Sequence, residues 1–207
     1  MSGRETEAAD AAESPEPASG RGKPARDRIF ETARDMFYRR GIRAVGVETI
    51  ASEAGATKMS LYRNFPSKDD LVAECLRDQA REGWAWWDAT IAPHAGNPRA
   101  QLEALFDGFA NKTCDQVHGC ALSNAALELH EPENPARSVA IDHKREMHAR
   151  LIALTKAAGA PDEELADSLM MLLEGAHVAR VTLAADGPGR SFAKCARALI
   201  RVHLDAA

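Results

Sequence analysis

The sequence predicts an all-α protein, and three observations carry that reading. Apolar residues recur at three- and four-residue steps along the chain, and no stretch shows the alternation of a half-buried strand. Gly, Pro and small polar residues punctuate these runs as helix stops, turns and caps. With 207 residues, 45% of them hydrophobic, the chain can bury a core between layers of helices.

Taken in order, residues 1–24 are rich in Ala, Glu, Ser, Pro and Gly without apolar periodicity, which predicts a disordered tail. Ala25 to Arg40 reads as a first helix. Ile29, Ala33, Met36 and Phe37 form its stripe at i, i+4, i+7 and i+8, and Gly41 ends it. The stretch from Val47 to Leu71 reads as two short helices joined by a tight turn. Ile50, Ala51 and Ala54 share one face of the first, and Gly55 allows the chain to turn at once. Thr57 is an N-cap for the second, Leu61 and Phe65 face inward, and Pro66 stops it. Its outer face carries Lys58, Met59, Ser60, Tyr62, Arg63 and Asn64. Two readings fit that face: a recognition helix of a helix-turn-helix, or an αα-corner whose polar side is solvated.

The positions Ile29, Ala33, Phe37, Gly41, Ile50, Ala51, Gly55, Leu61, Tyr62, Phe65, Pro66, Ser67, Lys68 and Leu71 keep a fixed internal spacing. Over them the chain resembles the DNA-binding domain of the TetR family of bacterial transcriptional regulators. Two places depart from that pattern. Val45 and Gly46 stand where the family often has a capping Ser or Thr, and Met59 stands where a small residue is common. The resemblance implies a three-helix DNA-binding domain over residues 25–68 and a larger helical ligand-binding and dimerisation domain over residues 69–207. It also implies a homodimer on a palindromic operator in double-stranded DNA, acting as a repressor that a small molecule releases. Tyr62 and Lys68, with Ser60 or Asn64, would position the head on phosphates. Lys58, Met59 and Arg63 would lie nearest base edges.

Charge is distributed accordingly. The chain carries −5 overall, yet residues 21–68 hold 11 Lys and Arg against 5 Asp and Glu. A basic head on an acidic body suits phosphate binding by the head alone. The basic lead-in, Arg21, Lys23 and Arg26, reads either as part of a solvated tail or as an arm that reaches DNA.

Beyond the head, Ser67 caps a longer helix with Asp69 and Asp70 in its first turn, and its apolar face runs from Leu71 through Trp84 and Trp87 towards Ile91. Pro93, Gly96 and Pro98 break the pattern. Helices are expected over residues 99–114, after Gly119 to Leu129, over 136–158, over 162–185, and from Phe192 on. The segment HGCALSNAALEL, residues 118–129, resembles the effector domain of one branch of TetR-like regulators. The last two helices are apolar on more than one face. Either a central helix is buried within one subunit, or one face pairs with a second copy.

An effector pocket, implied by the resemblance, would draw on Trp84, Trp87, Phe106, Phe109, Cys120, Asn124, Met147 and His177. An aromatic and Met-rich helical face also serves as plain core. Cys114, His118 and Cys120 lie close together, but no second Cys pair completes a structural zinc set, so no metal and no cofactor are expected. Gly-x-Ser-x-Gly, His-Glu-x-x-His and a phosphate-cradling Gly loop are all missing, and no catalytic residue is assigned. A purely protein-binding helical adaptor is the remaining alternative. No apolar run reaches bilayer length, and four irregularly spaced cysteines fit reduced thiols; a cytoplasmic protein without membrane contact is expected.

Overall fold

The structure, a computed structural model, describes residues 22–184 and 187–205, apart from the side chains of residues 114 and 115. The tail through Arg21 and the Cys114 side chain therefore lie outside the described residues. Within them the chain forms nine α-helices and no strand. The first four are α1 (Ala25–Arg40), α2 (Val47–Glu53), α3 (Lys58–Asn64) and α4 (Lys68–Ile91). There follow α5 (Pro98–Asp115), α6 (Ala121–Glu128), α7 (Pro135–Ala157), α8 (Glu164–Leu183) and α9 (Phe192–Asp205).

Side-chain caps fix where several helices begin. Thr57 and Ser67 accept from Ser60 N and Asp70 N, each cap stabilising its helix by about 1 kcal/mol. Asn97 and Asn134 do the same for α5 and α7, each followed by Pro at the first helical position. Pro is tolerated there because the missing N–H would have had no intrahelical partner. Pro98 and Pro135 thus open helices that the sequence reading starts one residue later.

The helices close around two apolar cores. In the first, Ile29, Ala33, Phe37, Ile50, Leu61, Phe65, Leu71 and Leu76 of the N-terminal part are joined by Leu122, Ala125 and Leu129 around α6 and by Ala136 and Ala140 of α7. The second gathers Trp87 with Leu102, Leu105, Phe106 and Phe109 of α5, Leu151 of α7, Leu165, Leu169 and Leu173 of α8, and Phe192, Ala196 and Ile200 of α9. α4 takes part in both: Leu71 to Leu76 lie in the first core and Trp87 in the second. One face of α8 stays in solvent. Met171, Gly175, Val178 and Thr182 follow one another at steps of four, three and four residues, and all four are exposed. Met171 is 67% and Val178 57% exposed, large values for apolar side chains.

Candidate nucleic-acid interface and cavity

α3 is anchored from behind and open in front. Its Leu61, and Phe65 at its C-cap, are buried in one core with Ile29 and Ile50. Arg28 of α1 holds the turn that precedes it, donating from Nε to the Ala54 carbonyl at 2.9 Å and from Nη2 to the Gly55 carbonyl at 3.0 Å. Those carbonyls end α2 and have no intrahelical donor of their own. Gly55, at φ +59°, takes the left-handed conformation that lets the chain reverse there. α2 itself starts at Gly46 without a side-chain cap, in keeping with the departure noted in the sequence.

On the open side Met59 is 75% and Tyr62 41% exposed, with Lys58 and Arg63 beside them in solvent and Ser60 half-buried. Arg63 has no hydrogen-bond or ion-pair partner among the described residues. Lys58 is paired with Glu48 of α2 and lies 6.0 Å from the centre of the Tyr62 ring. The Asn64 amide donates to the Ser60 carbonyl at 2.8 Å, so it is engaged with its own helix. Lys68, at the start of α4, places Nζ 6.0 Å from the centre of the Phe37 ring. The lead-in is tied down: Lys23 pairs with Glu31, and Arg26 pairs with Glu74 while lying over the Phe65 ring. Arg39 and Arg43 are likewise held, by Asp35 and Glu131.

Further along α4, a cavity of about 580 Å³ opens between α1, α4, α5, α7 and α8. Trp84, Trp87, Phe109, Cys120, Met147 and His177 line it, as does Trp86. Phe106 and Asn124 do not. Phe106 is fully buried and stacks on Phe192 with ring centres 5.8 Å apart, so it belongs to the second core. Asn124 lines a smaller neighbouring cavity of about 270 Å³ under α1, where its amide donates to the His118 carbonyl at 2.8 Å. His118 sets its ring edge-on to Tyr38 rather than beside the Cys120 thiol as a partner.

The polar part of the wall was not legible in the sequence. α1 brings Arg34 and Tyr38, α4 brings Gln79 and Glu82, α5 and its C-cap bring Lys112 and Gln116, and α7 brings His143 and Lys144. The available signal was polar residues interrupting apolar stripes: Lys112 and Gln116 stand three and seven residues after Phe109, and His143 four before Met147. Arg34 ties α1 to α4 through Asp78 at 2.6 Å and through Glu82. The Glu82 hydrogen bond raises the Arg34 pKa, and in return Arg34 holds the Glu82 carboxyl below its ordinary range. Lys144 donates to Glu174 at 2.6 Å and approaches the Cys120 sulfur at 3.6 Å. Burial works against both charges of that pair. The neighbouring Cys120 and Glu174 nevertheless shift Lys144 upward, and Lys144 shifts Glu174 downward.

His143 and His177 are 8% and 9% exposed, and burial pushes each imidazole down to about 4. Both are therefore neutral at physiological pH. Each leaves Nδ1 buried without a hydrogen-bond partner, and Gln79 Oε1 is likewise unpartnered. Cys75, in the smaller cavity's wall, is buried and its thiol is pushed up to about 12, which makes it inert as a nucleophile. Among the described residues no group of three His, Cys, Asp or Glu side chains is placed to hold a metal ion. No described helix is long and apolar enough to cross a membrane.

Comparison with known proteins places these elements. Residues 29–75 match the family model described as bacterial regulatory proteins, tetR family. The repressor KstR2 of Mycobacterium tuberculosis is 36% identical over 92 residues, which cover 42% of this chain and 44% of that protein. The chain thus matches less than half the length of that curated relative. The repressor SCO4008 of Streptomyces coelicolor is 29% identical over 148 residues, covering 65% of this chain and 70% of that one. Among solved structures, the TetR-family regulator SCO4454 of Streptomyces coelicolor superposes with a TM-score of 0.75 at 27% identity, covering 87% of this chain and 96% of the other.

Proposed function

The chain belongs to the TetR family of bacterial regulatory proteins, and on that premise we propose that it is a homodimeric repressor released from a palindromic operator by a small molecule. The observation that carries the DNA-binding half is the outer face of α3, a rigidly mounted short helix that leaves Met59, Tyr62 and an unpartnered Arg63 in solvent. In this reading Arg63, Met59 and Lys58 meet base edges, with Lys58 exchanging Glu48 for DNA. Tyr62, Lys68 and Ser60 meet phosphates. Asn64, bonded to its own helix, serves to hold the α3 backbone. Residues 25–68 act as the reading head and the remainder as its controller. We read it as a binding protein, in keeping with the regulators it resembles.

Dimerisation follows from the exposed seam of α8. Met171, Gly175, Val178 and Thr182 form a strip whose glycine lets a second helix approach closely. One short helix reads too few base pairs for useful specificity, whereas a two-fold pair reads two half-sites about 34–36 Å apart. The larger cavity is the effector site. Its wall includes α1 as well as α4, so a ligand that prefers another arrangement of these helices changes the spacing of the two α3 helices. It can do so only by its differential affinity, on the order of 1–3 kcal/mol.

The test is anisotropy of labelled palindromic DNA from upstream of the protein's own gene, titrated across salt concentrations. The reading expects preference for that DNA over random duplex, with log affinity falling linearly in log salt. Equal affinity for both at every salt concentration would overturn it.

A further inference from the structure

The charges around the larger cavity are balanced except at one residue. Glu31 is held by Lys23, Asp35 by Arg39, Glu82 by Arg34 and Lys144 by Glu174. The Lys112 ammonium has no hydrogen-bond or ion-pair partner among the described residues. It lies 4.2 Å from the centre of the Trp86 ring, which packs in turn on Phe109 in the aromatic part of the wall. Glu82 acts on it only from a distance, because Arg34 holds the Glu82 oxygens. Burial lowers the Lys112 pKa, the mark of a charge held where water solvates it poorly. Among the described residues that ammonium has no counter-ion, and an anion arriving from solvent would supply one.

The aromatic faces point the same way. A box of tryptophans can instead receive a ligand cation, but here the protein's own groups take up those rings. Lys112 stands over Trp86, Arg150 lies 4.2 Å from the centre of the Trp84 ring, and His143 packs on Trp84 at 4.5 Å. A ligand cation would meet the Lys112 and Arg150 charges, while the neutral His143 covers part of the Trp84 face. The uncharged polar atoms add a second requirement. His177 Nε2 is 3.1 Å from Gln116 Oε1; with Nε2 donating to that oxygen, Nδ1 is left as an acceptor. It is buried and unpartnered, as are His143 Nδ1 and Gln79 Oε1. Buried polar atoms without partners are rare unless a bound group completes them.

We propose that the cavity takes an organic acid, an anion of metabolite size whose acid group sits on Lys112 and whose apolar body lies against Trp84, Trp86, Trp87 and Phe109. The unpartnered acceptors on α4 and α8 then meet hydroxyl or N–H donors of that body, and His143 Nδ1 on α7 donates or accepts according to its tautomer. The inference rests on reading this cavity as the effector site and adds its chemical class.

The chain's three tryptophans all line the cavity, so their indole N–H signals in ¹⁵N-correlated NMR report occupancy of this site. The probes are 8-anilinonaphthalene-1-sulfonate and its uncharged counterpart N-phenyl-1-naphthylamine, which share a body and differ by one acid group. In the unaltered protein the anion is expected to shift the indole signals with a Kd about tenfold or more below that of the neutral probe. Lys112→Met keeps the stem on Trp86 and removes the charge, and should bring the two probes within about twofold of each other. Lys112→Arg should restore the preference. Equal or tighter binding of the neutral probe, or a preference that survives in Lys112→Met, would overturn the acid assignment while leaving the cavity as a ligand site. Indole signals unmoved by either probe would overturn the effector-site reading itself.

Discussion

Glu128 ends α6 directly beneath the loop that follows α1. Its carboxylate accepts from Ile42 N at 3.0 Å and from Arg43 N at 2.5 Å. Gly41, at φ +86°, turns the chain so that these consecutive amides face the carboxylate together. Replacing Glu128 by Ala strands both. The Arg43 amide is in the exposed part of the loop and can turn to water, which limits its loss to about 0.5 kcal/mol. The Ile42 amide is part-buried, and losing a charged acceptor there costs about 1.5–3 kcal/mol. Against this, a carboxylate at a helix C-terminus opposes the dipole by about 0.3–1 kcal/mol, which the substitution returns. The net expectation is a loss of about 1–3 kcal/mol in urea unfolding at neutral pH and fixed protein concentration, with the m-value unchanged. Glu128→Gln keeps one acceptor oxygen and should lose roughly half as much. A Glu128→Ala protein within about 0.5 kcal/mol of the parent would show that the loop is not held this way. So would a Gln variant as unstable as the Ala one.

Three further outcomes are expected. Arg63→Ala should cost about 1–3 kcal/mol on the operator and little on random duplex, whereas Lys68→Ala should weaken both and flatten the salt slope; equal losses on both DNAs for Arg63→Ala would remove it from the base edges. Met171→Glu with Val178→Glu should give a folded monomer by sedimentation, since both side chains are in solvent within one subunit; an unchanged dimer would place the interface elsewhere. Stability should fall as pH drops from about 6.5 to about 4, because unfolded chains protonate His143 and His177 in that window while the folded protein resists. His143→Phe with His177→Phe should flatten the decline seen by thermal melting, and an equally steep decline in the double variant would assign it to other groups.

The head was the most legible part of the chain because its determinants are local. The stripe of Ile29, Ala33 and Phe37, the left-handed Gly41 and Gly55, and the Thr57 and Ser67 caps all act within a few residues of one another in sequence. The cavity was legible only in its apolar wall, where large aromatic residues are conspicuous at any spacing. Its polar wall depends on α1 lying along α4, and no spacing rule relates Arg34 or Tyr38 to His177. Phe106 and Phe109 show the limit well. They sit three residues apart in the same second core, yet Phe106 is enclosed against Phe192 whereas Phe109 also lines the cavity. Asn97 and Asn134 escaped notice for a simpler reason: the prolines after them read as breakers, although each opens a helix.

The first core has a consequence for how portable the reading head is. Leu122, Ala125 and Leu129 of the α6 region, with Ala136 and Ala140 of α7, complete the same apolar cluster as Phe37, Val72 and Leu76. A chimera that joined residues 22–76 to a foreign body would have to bring its own replacement for that lid. Without one, the underside of α1 and α4 would face water as a sticky apolar patch. With α3 reading the operator as proposed, exchange of operator preference between relatives is therefore easier by altering its outer face than by trading the whole head.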